Sequence, residues 1–220
     1  MLFAYPETTR LNRVLPKSTI YKNAAPTVKQ RELLTQQIDK IIWAHKLAPD
    51  TLNIRAHEDV PEIQVFKLLL KPACTDISES LLEYLDKAIP SALIFEIHSS
   101  SGVKMAACLK QANQNGTITY SPYLYGPLIR AEAERHSLPV SRDFLQLHQQ
   151  LLAPLLPYPL QAGESLSEAL DRSQQLDKLA KNIQKLEAQL RKKSTQFNKR
   201  VELNQQLRSA KQAHTALRGQ

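Results

Sequence analysis

The feature that most constrains the fold is the uneven distribution of helix-breaking residues along the chain. All 13 prolines lie at or before Pro159, and residues 164–218 contain neither proline nor glycine. Proline lacks a backbone N–H and disfavours helical geometry in the residue before it, so no continuous helix runs through the segment 154–163. Ser165 and Glu168 then have the spacing of a capping box. The sequence therefore predicts a globular domain over residues 1–160 and a long helix over residues 165–218.

The first half of this predicted helix carries an apolar repeat. Its members recur at alternating steps of three and four residues, as in a coiled-coil seam: Leu176, Leu179, Ile183, Leu186 and Leu190. The next seam positions include Lys193 and Arg200, so the repeat ends there. Two hypotheses stay open. The seam forms an intermolecular coiled coil, which would make the protein a homodimer, or the helix folds back in antiparallel orientation on the globular domain.

The net charge of +8 is confined to the same region. Residues 176–220 carry 11 basic and 3 acidic side chains, which accounts for the whole excess and leaves residues 1–175 neutral. Lysine and arginine contact nucleic-acid phosphates without reading base sequence. The helix is therefore expected to bind DNA or a protein partner. The residues predicted for this contact are Arg191, Lys192, Lys193, Phe197, Lys199, Arg200, Val201, Leu207 and Arg208.

A helix is predicted early in the globular domain. Thr27 and Gln30 have capping-box spacing, and Pro49 marks the far end of the segment. Between them the apolar positions recur at helical spacing: Leu34, Ile38, Ile41, Ile42 and His45. We expect one helix over this whole segment.

The next segments predict a strand, a helix and a second strand. Residues 62–71 are rich in β-branched and apolar side chains, which is typical of a buried strand. Residues 76–89 have helical spacing, with Asp76 as the expected cap. A strand after a crossover helix pairs in parallel with the strand before it. The fold class is therefore α/β or α+β, a small mixed β-sheet with flanking helices, followed by the long C-terminal helix.

Residues 91–111 predict a β-hairpin. A three-residue loop over residues 99–101, with Gly102 supplying a positive φ, is a common hairpin connection. This register places Glu96 opposite Lys104 as a cross-strand ion pair. Upstream, residues 10–23 contain four basic side chains around Pro16, and they are either a structural arm or an anion contact.

The sequence has no catalytic signature. It lacks a glycine-rich phosphate loop and a histidine or cysteine cluster with metal-ligand spacing, so no cofactor and no metal is predicted. Cys74 and Cys108 indicate reduced thiols in a cytoplasmic protein, and no segment has the length of apolar sequence that a membrane span needs. The alternative is a degenerate metal-dependent nuclease that uses Glu62, Glu96 and Lys104. Against this, no Asp or Glu is followed two residues later by Lys.

Five segments of the chain, in this order, are similar to segments of a known family: YPETTRLNRVLPKSTIY, IIWAHKLAPDTLNI, EIQVFKLLLK, AIPSALIFEI and FNKRVELNQQLR. They resemble a bacterial family known as domain of unknown function 4391. The resemblance implies an accessory component near helicases and DNA methyltransferases of restriction or phage-defence systems, and it brings no active-site residues. The similarity of the tail to the ends of other such proteins implies a docking role for Phe197, Val201, Leu203 and Leu207. We therefore expect a non-enzymatic accessory subunit that binds a helicase or a methyltransferase, with a basic helix that contacts either this enzyme or DNA.

Overall fold

The computed structural model describes residues 1–112, 115–191 and 197–219, without the side chains of Ala112 and Phe197. The chain divides into two compact units, Met1–Leu155 and Leu156–Gln220. In the described residues the strands are β1 (Phe3–Ala4), β2 (Arg10–Leu15), β3 (Ile38–Leu47), β4 (Ile63–Leu70), β5 (Ala92–Ser99), β6 (Gly102–Ala107), β7 (Lys110–Ala112), β8 (Ile118–Tyr120), β9 (Leu124–Tyr125) and β10 (His136–Ser137). The α-helices are α1 (Lys17–Asn23), α2 (Val28–Gln37), α3 (Pro49–Leu52), α4 (Glu79–Ala88), α5 (Phe144–Leu152), α6 (Leu166–Leu190) and α7 (Phe197–Arg218).

The first unit is built on a mixed sheet of six strands in the order β2-β3-β4-β5-β6-β9. Strands β4 and β5 are parallel and are joined by α4, which confirms the predicted crossover. The other neighbours in this sheet are antiparallel. Two small pairs, β1 with β10 and β7 with β8, complete the strands described. The fold class is confirmed as mixed α/β with long C-terminal helical structure.

The apolar core of this unit joins the sheet to helices α1, α2 and α4. Helix α4 contributes Leu81, Leu82 and Leu85, each at most 1% exposed, and the central strands contribute Phe66 and Phe95. Burying one such side chain contributes roughly 1.5–3 kcal/mol. The core thus fixes the central strands against α4 and determines which strand residues point to the opposite face.

The predicted helix after Thr27 is only half correct. The capping box of Thr27 and Gln30 is present, but α2 ends at Gln37 and residues 38–47 form β3. Strand β3 pairs with β2 and β4, and its register with β4 shifts twice. Each irregularity interrupts the two-residue alternation of a strand. The buried residues of β3 therefore recur every third position, at Ile38, Ile41, Ala44 and Leu47, and this spacing imitates a helix.

The β5–β6 hairpin is present, but its predicted register is wrong by one residue. Ser99 pairs with Gly102 across a two-residue loop, which places Glu96 opposite Met105 and Ile97 opposite Lys104. A shift of one residue sends every side chain of a strand to the other face. The expected Glu96–Lys104 pair is therefore absent.

Lys104 instead forms an ion pair with Asp76, with 2.6 Å between Nζ and Oδ2. Asp76 is not the N-cap of α4, contrary to the prediction, because Ser78 occupies that position. The position of β6 is fixed from its other side, because Val103 and Ile129 exchange two backbone hydrogen bonds of 2.7 and 2.8 Å.

The second unit contains α6 and α7. The sequence predicts one helix over residues 165–218, whereas the structure has two helices that pack against each other. Lys211 Nζ lies 2.7 Å from Glu187 Oε1, although a continuous helix would separate these residues by about 36 Å at 1.5 Å per residue. The contact between Gln161 and Leu217 agrees with an antiparallel hairpin.

Candidate nucleic-acid interface

The apolar seam of α6 faces α7 of the same chain. Leu186 of α6 is buried with Leu203 and Ala210 of α7, and Ile183, Leu190 and Leu207 pack around them. The seam therefore contacts a second helix of the same chain, an arrangement that neither hypothesis described. Leu203, at 4% exposure, and half-buried Leu207 pack in this interior, and the docking role that the resemblance implied for them stays a prediction.

The start of α6 is fixed by local hydrogen bonds. The predicted capping box is confirmed, because the Ser165 hydroxyl accepts from the Glu168 amide and the Glu168 carboxylate accepts from the Ser165 amide. Arg172, which is 6% exposed, donates to both oxygens of Glu164 at 2.6 and 2.8 Å and to the Pro159 carbonyl at 2.7 Å. The hydrogen bonds from Arg172 lower the pKa of Glu164. The turn after the proline-rich segment is thus anchored to the helix.

The outer face of α7 carries a polar stripe. Its members follow one another at steps of three or four residues and are all exposed: Arg200, Asn204, Arg208, Lys211, Thr215 and Arg218. Residues at this spacing lie on one face of a helix. Sequence analysis identified Arg200 and Arg208 but missed Asn204, Lys211 and Arg218, although the same spacing, counted from Arg200, would have found them.

The arginines of this stripe keep their charge available. Lys199 pairs with Glu202 at 3.0 Å, and Lys211 pairs with Glu187 at 2.7 Å. Across the described residues, no carboxylate lies within ion-pair distance of Arg200, Arg208 or Arg218. Three guanidinium groups on one helix face therefore have their donors directed to solvent.

A shallow groove runs along the same face. Its volume is about 540 Å³, and it is lined by Val201, Asn204, Gln205, Leu207, Arg208 and Lys211. Val201 is 53% exposed and gives the groove an apolar patch among amide and cationic side chains. Among the other residues predicted for binding, Arg191 is exposed at the end of α6. Lys192, Lys193 and the side chain of Phe197 lie outside the described residues.

The structure does not bring the three residues of the nuclease hypothesis together. Glu62 accepts hydrogen bonds from Ser91 and Gln64, at 2.9 and 2.7 Å. Glu96 is bound by Arg135, whereas Lys104 is bound by Asp76. Within residues 1–112, 115–191 and 197–219, no group of three or more His, Cys, Asp or Glu side chains is arranged to hold a metal ion.

A family model, described as a domain of unknown function (DUF4391), matches residues 3–213. The chain belongs to the DUF4391 family. No curated protein and no solved structure matches the chain. The match spans both units of this DUF4391 protein and includes most of α7, so the cationic stripe lies largely within the region that defines the family. None of the described helices of the DUF4391 protein combines the length and the apolar character needed to cross a membrane.

Proposed function

We propose that this DUF4391 protein is a non-enzymatic accessory subunit of a bacterial DNA-acting system of the restriction or phage-defence type. In this proposal it contacts duplex DNA through the outer face of α7. The observation that carries the proposal is the set of three exposed arginines without acidic partners on that face, Arg200, Arg208 and Arg218. An exposed cation without a counter-charge is available for a phosphate, and its binding releases counterions from DNA.

The packing of α7 favours DNA over a protein partner for this face. A helix that docks in the groove of a protein uses an apolar stripe. The apolar stripe of α7 is already occupied, since Leu203, Leu207 and Ala210 pack on α6. What remains outside is cationic and amide-rich, and Val201 is its large exposed apolar side chain in the described residues.

The stripe is long enough to contact several phosphates of a duplex. Arg200 and Arg218 are 18 residues apart, which corresponds to about 27 Å along the helix axis. Duplex DNA carries one negative charge per about 1.7 Å of its axis. Helix α7 contains neither tyrosine nor tryptophan, so it offers little for stacking on unpaired bases. We therefore expect duplex DNA to bind more tightly than single-stranded DNA.

The test compares two triple variants of the full-length chain that remove the same charge. One is R200Q/R208Q/R218Q on α7, and the matched control is K178Q/K181Q/K185Q, which neutralises three exposed lysines of α6. Fluorescence anisotropy with a labelled duplex is measured over a salt series. Each lost phosphate contact lowers the slope of log K against log salt by about 0.9, so the α7 variant is expected to lose about 2.7. The control is expected to keep the wild-type slope.

Two results would contradict the proposal. If the salt slope fell equally in both triple variants, the net charge of the chain would attract DNA, and the arginines of α7 would not form a specific contact. Absence of duplex binding by the unaltered chain would remove DNA as the ligand of this face. The outer face of α7 would then be tested against a helicase or DNA methyltransferase partner, with the same two variants.

A further inference from the structure

A second polar site lies in the first unit, on the face of the sheet opposite α4. It is a cavity of about 280 Å³, lined by Phe3, Ala4, Tyr5, Glu7, Arg10, Asn12, Ala44, His45, Lys67 and Arg135. Its volume is just below the usual range for ligand sites, about 300–1,000 Å³, and therefore suits a small ligand. None of the residues named in the nuclease hypothesis or in the basic tail lines this cavity.

The charge of Arg135 beside this cavity is already balanced. Glu96 of β5 is fully buried and accepts two hydrogen bonds from Arg135, at 2.6 and 2.9 Å. Burial opposes ionisation of Glu96, but the hydrogen bonds from Arg135 prevail and lower its pKa to about 2. Arg135 also donates to the Phe3 carbonyl at 2.9 Å. Glu96 and Arg135 thus form an internal ion pair that holds β1 against the sheet.

Lys67 is the cation that stays without a partner. It lies beside Glu96 in the parallel register of β4 and β5, and its side chain is half-buried at the cavity. No carboxylate of the described residues comes within ion-pair distance of Lys67, because Glu96 is held by Arg135 and Glu7 pairs with Arg10. The ammonium group of Lys67 therefore has no direct ion-pair partner in the described residues, which leaves its N–H donors available to a ligand.

His45 contributes a hydrogen-bond acceptor to the same cavity. The Thr9 hydroxyl donates to the Pro6 carbonyl at 2.6 Å, so at its 2.9 Å contact with His45 it accepts from Nδ1. Burial lowers the pKa of His45 to about 4, which makes the ring neutral at physiological pH. The proton on Nδ1 leaves Nε2 with a free lone pair.

Tyr5 forms part of the cavity wall. Its ring packs on His45 with 4.8 Å between the ring centroids, and its hydroxyl is buried without a hydrogen-bond partner in the described residues. Because that oxygen has almost no accessible surface, the ring of Tyr5 and not its hydroxyl faces the cavity.

The rim of the cavity has strained backbone. Asn12 adopts φ of +48°, and the register between β2 and β3 shifts between Arg10 and Arg13. Bulges and left-handed non-glycine residues concentrate next to functional sites. The irregularity places Arg10 and Asn12 at the mouth of the cavity instead of in a regular edge strand.

We propose that this cavity binds the phosphate group of a small molecule, with Lys67 donating to its oxygens and His45 Nε2 accepting a hydrogen bond from its P–OH group. The combination of a donor and an acceptor selects the ligand class. A phosphate monoester has a second pKa near 6, so part of it carries a P–OH near neutral pH. Sulfate and carboxylate are acceptors only under these conditions, and they leave His45 unmatched.

Isothermal titration calorimetry of the full-length chain tests this proposal with inorganic phosphate, adenosine monophosphate and sulfate at pH about 6.5. Inorganic phosphate is expected to bind more tightly than sulfate. Tighter binding of the nucleotide would identify a nucleotide phosphate as the source, whereas equal affinities would indicate free phosphate. The Lys67→Gln variant is expected to lose roughly tenfold or more in affinity.

The control is Lys40→Gln, which removes an exposed lysine of β3 outside the cavity and is expected to leave phosphate affinity unchanged. Circular dichroism verifies that each variant is folded, and the comparison of phosphate with sulfate on the unaltered chain keeps the test valid if Lys67→Gln is unstable. The proposal is overturned if the unaltered chain shows no saturable phosphate binding with a Kd of about 1 mM or lower. Equal affinities of the Lys67→Gln and Lys40→Gln variants for phosphate, or equal affinities of the unaltered chain for phosphate and sulfate, would overturn it as well.

Discussion

Replacement of Glu96 by glutamine tests the structural role of its ion pair with Arg135. Glu96 is fully buried, and its two carboxylate oxygens accept from the two guanidinium nitrogens of Arg135. Glutamine has almost the same shape but no charge, so Glu96→Gln leaves Arg135 without its counter-ion in a mostly buried position. Breaking a buried pair in this way costs about 3–5 kcal/mol.

The shift in the pKa of Glu96 on folding gives a similar free energy for the ion pair. Folding lowers this pKa from 4.5 to about 2. Each tenfold change in the acid dissociation constant corresponds to about 1.4 kcal/mol, so the ionised form contributes about 3 kcal/mol of stability at neutral pH. Because the folded pKa lies below the unfolded one, this contribution is complete above pH 4.5 and is lost as the pH falls towards 2.

Thermal unfolding followed by circular dichroism measures the effect. For a domain of this size, a loss of 1 kcal/mol lowers Tm by about 2–4 °C, so Glu96→Gln is expected to lower it by roughly 10 °C at neutral pH. The difference between the two proteins should shrink on acidification through the same window, since wild-type Glu96 then becomes protonated. Glu7→Gln is the control. Glu7 is 82% exposed in an ion pair with Arg10, and its loss costs less than about 1 kcal/mol.

Either of two results would refute this reasoning. If Glu96→Gln and Glu7→Gln had the same Tm, the buried pair would make no net contribution to stability. A Tm difference that stayed constant down to low pH would show that Glu96 acts through its shape and not through its charge.

Two further substitutions test other parts of the first unit. Lys110 is 7% exposed in its side chain and lies 3.0 Å from buried Asp86, so Lys110→Met is expected to cost about 3–5 kcal/mol in urea unfolding; a cost under about 1 kcal/mol would contradict a buried pair. Gly102 has φ of +140°, and a Cβ there would lie 2.3 Å from the Ile129 carbonyl oxygen. Gly102→Ala is therefore expected to destabilise the β5–β6 hairpin by more than about 1 kcal/mol, seen as faster amide exchange at Val103, and unchanged exchange there would contradict the strain.

The features that the sequence predicted correctly are those with local causes. Each capping box, Thr27 with Gln30 and Ser165 with Glu168, closes its hydrogen bonds within three residues. The apolar runs of β4 and α4 differ in length and spacing, so their types and the parallel crossover between β4 and β5 could be recognised from the residues alone.

The candidate sites depend on contacts between residues that are far apart in the sequence. Glu96 and Arg135 are 39 residues apart, and nothing near Glu96 distinguishes Arg135 from Lys104 as its partner. The Tyr5, His45 and Lys67 side chains come from three separate segments, so their shared cavity is visible only once the strands are in register.

The sequence by itself determined which part of the chain holds the excess charge, which face of α6 is apolar, and that Arg200 and Arg208 are candidate contacts. Only the tertiary structure decided what the apolar face of α6 contacts. Leu186 and Leu203 bury each other because two amphipathic helices of one chain remove the same apolar area from water that two copies of the chain would remove. Periodicity records the apolar face and not its partner, so only the closed hairpin showed that the apolar side of α7 is occupied while its arginines stay exposed.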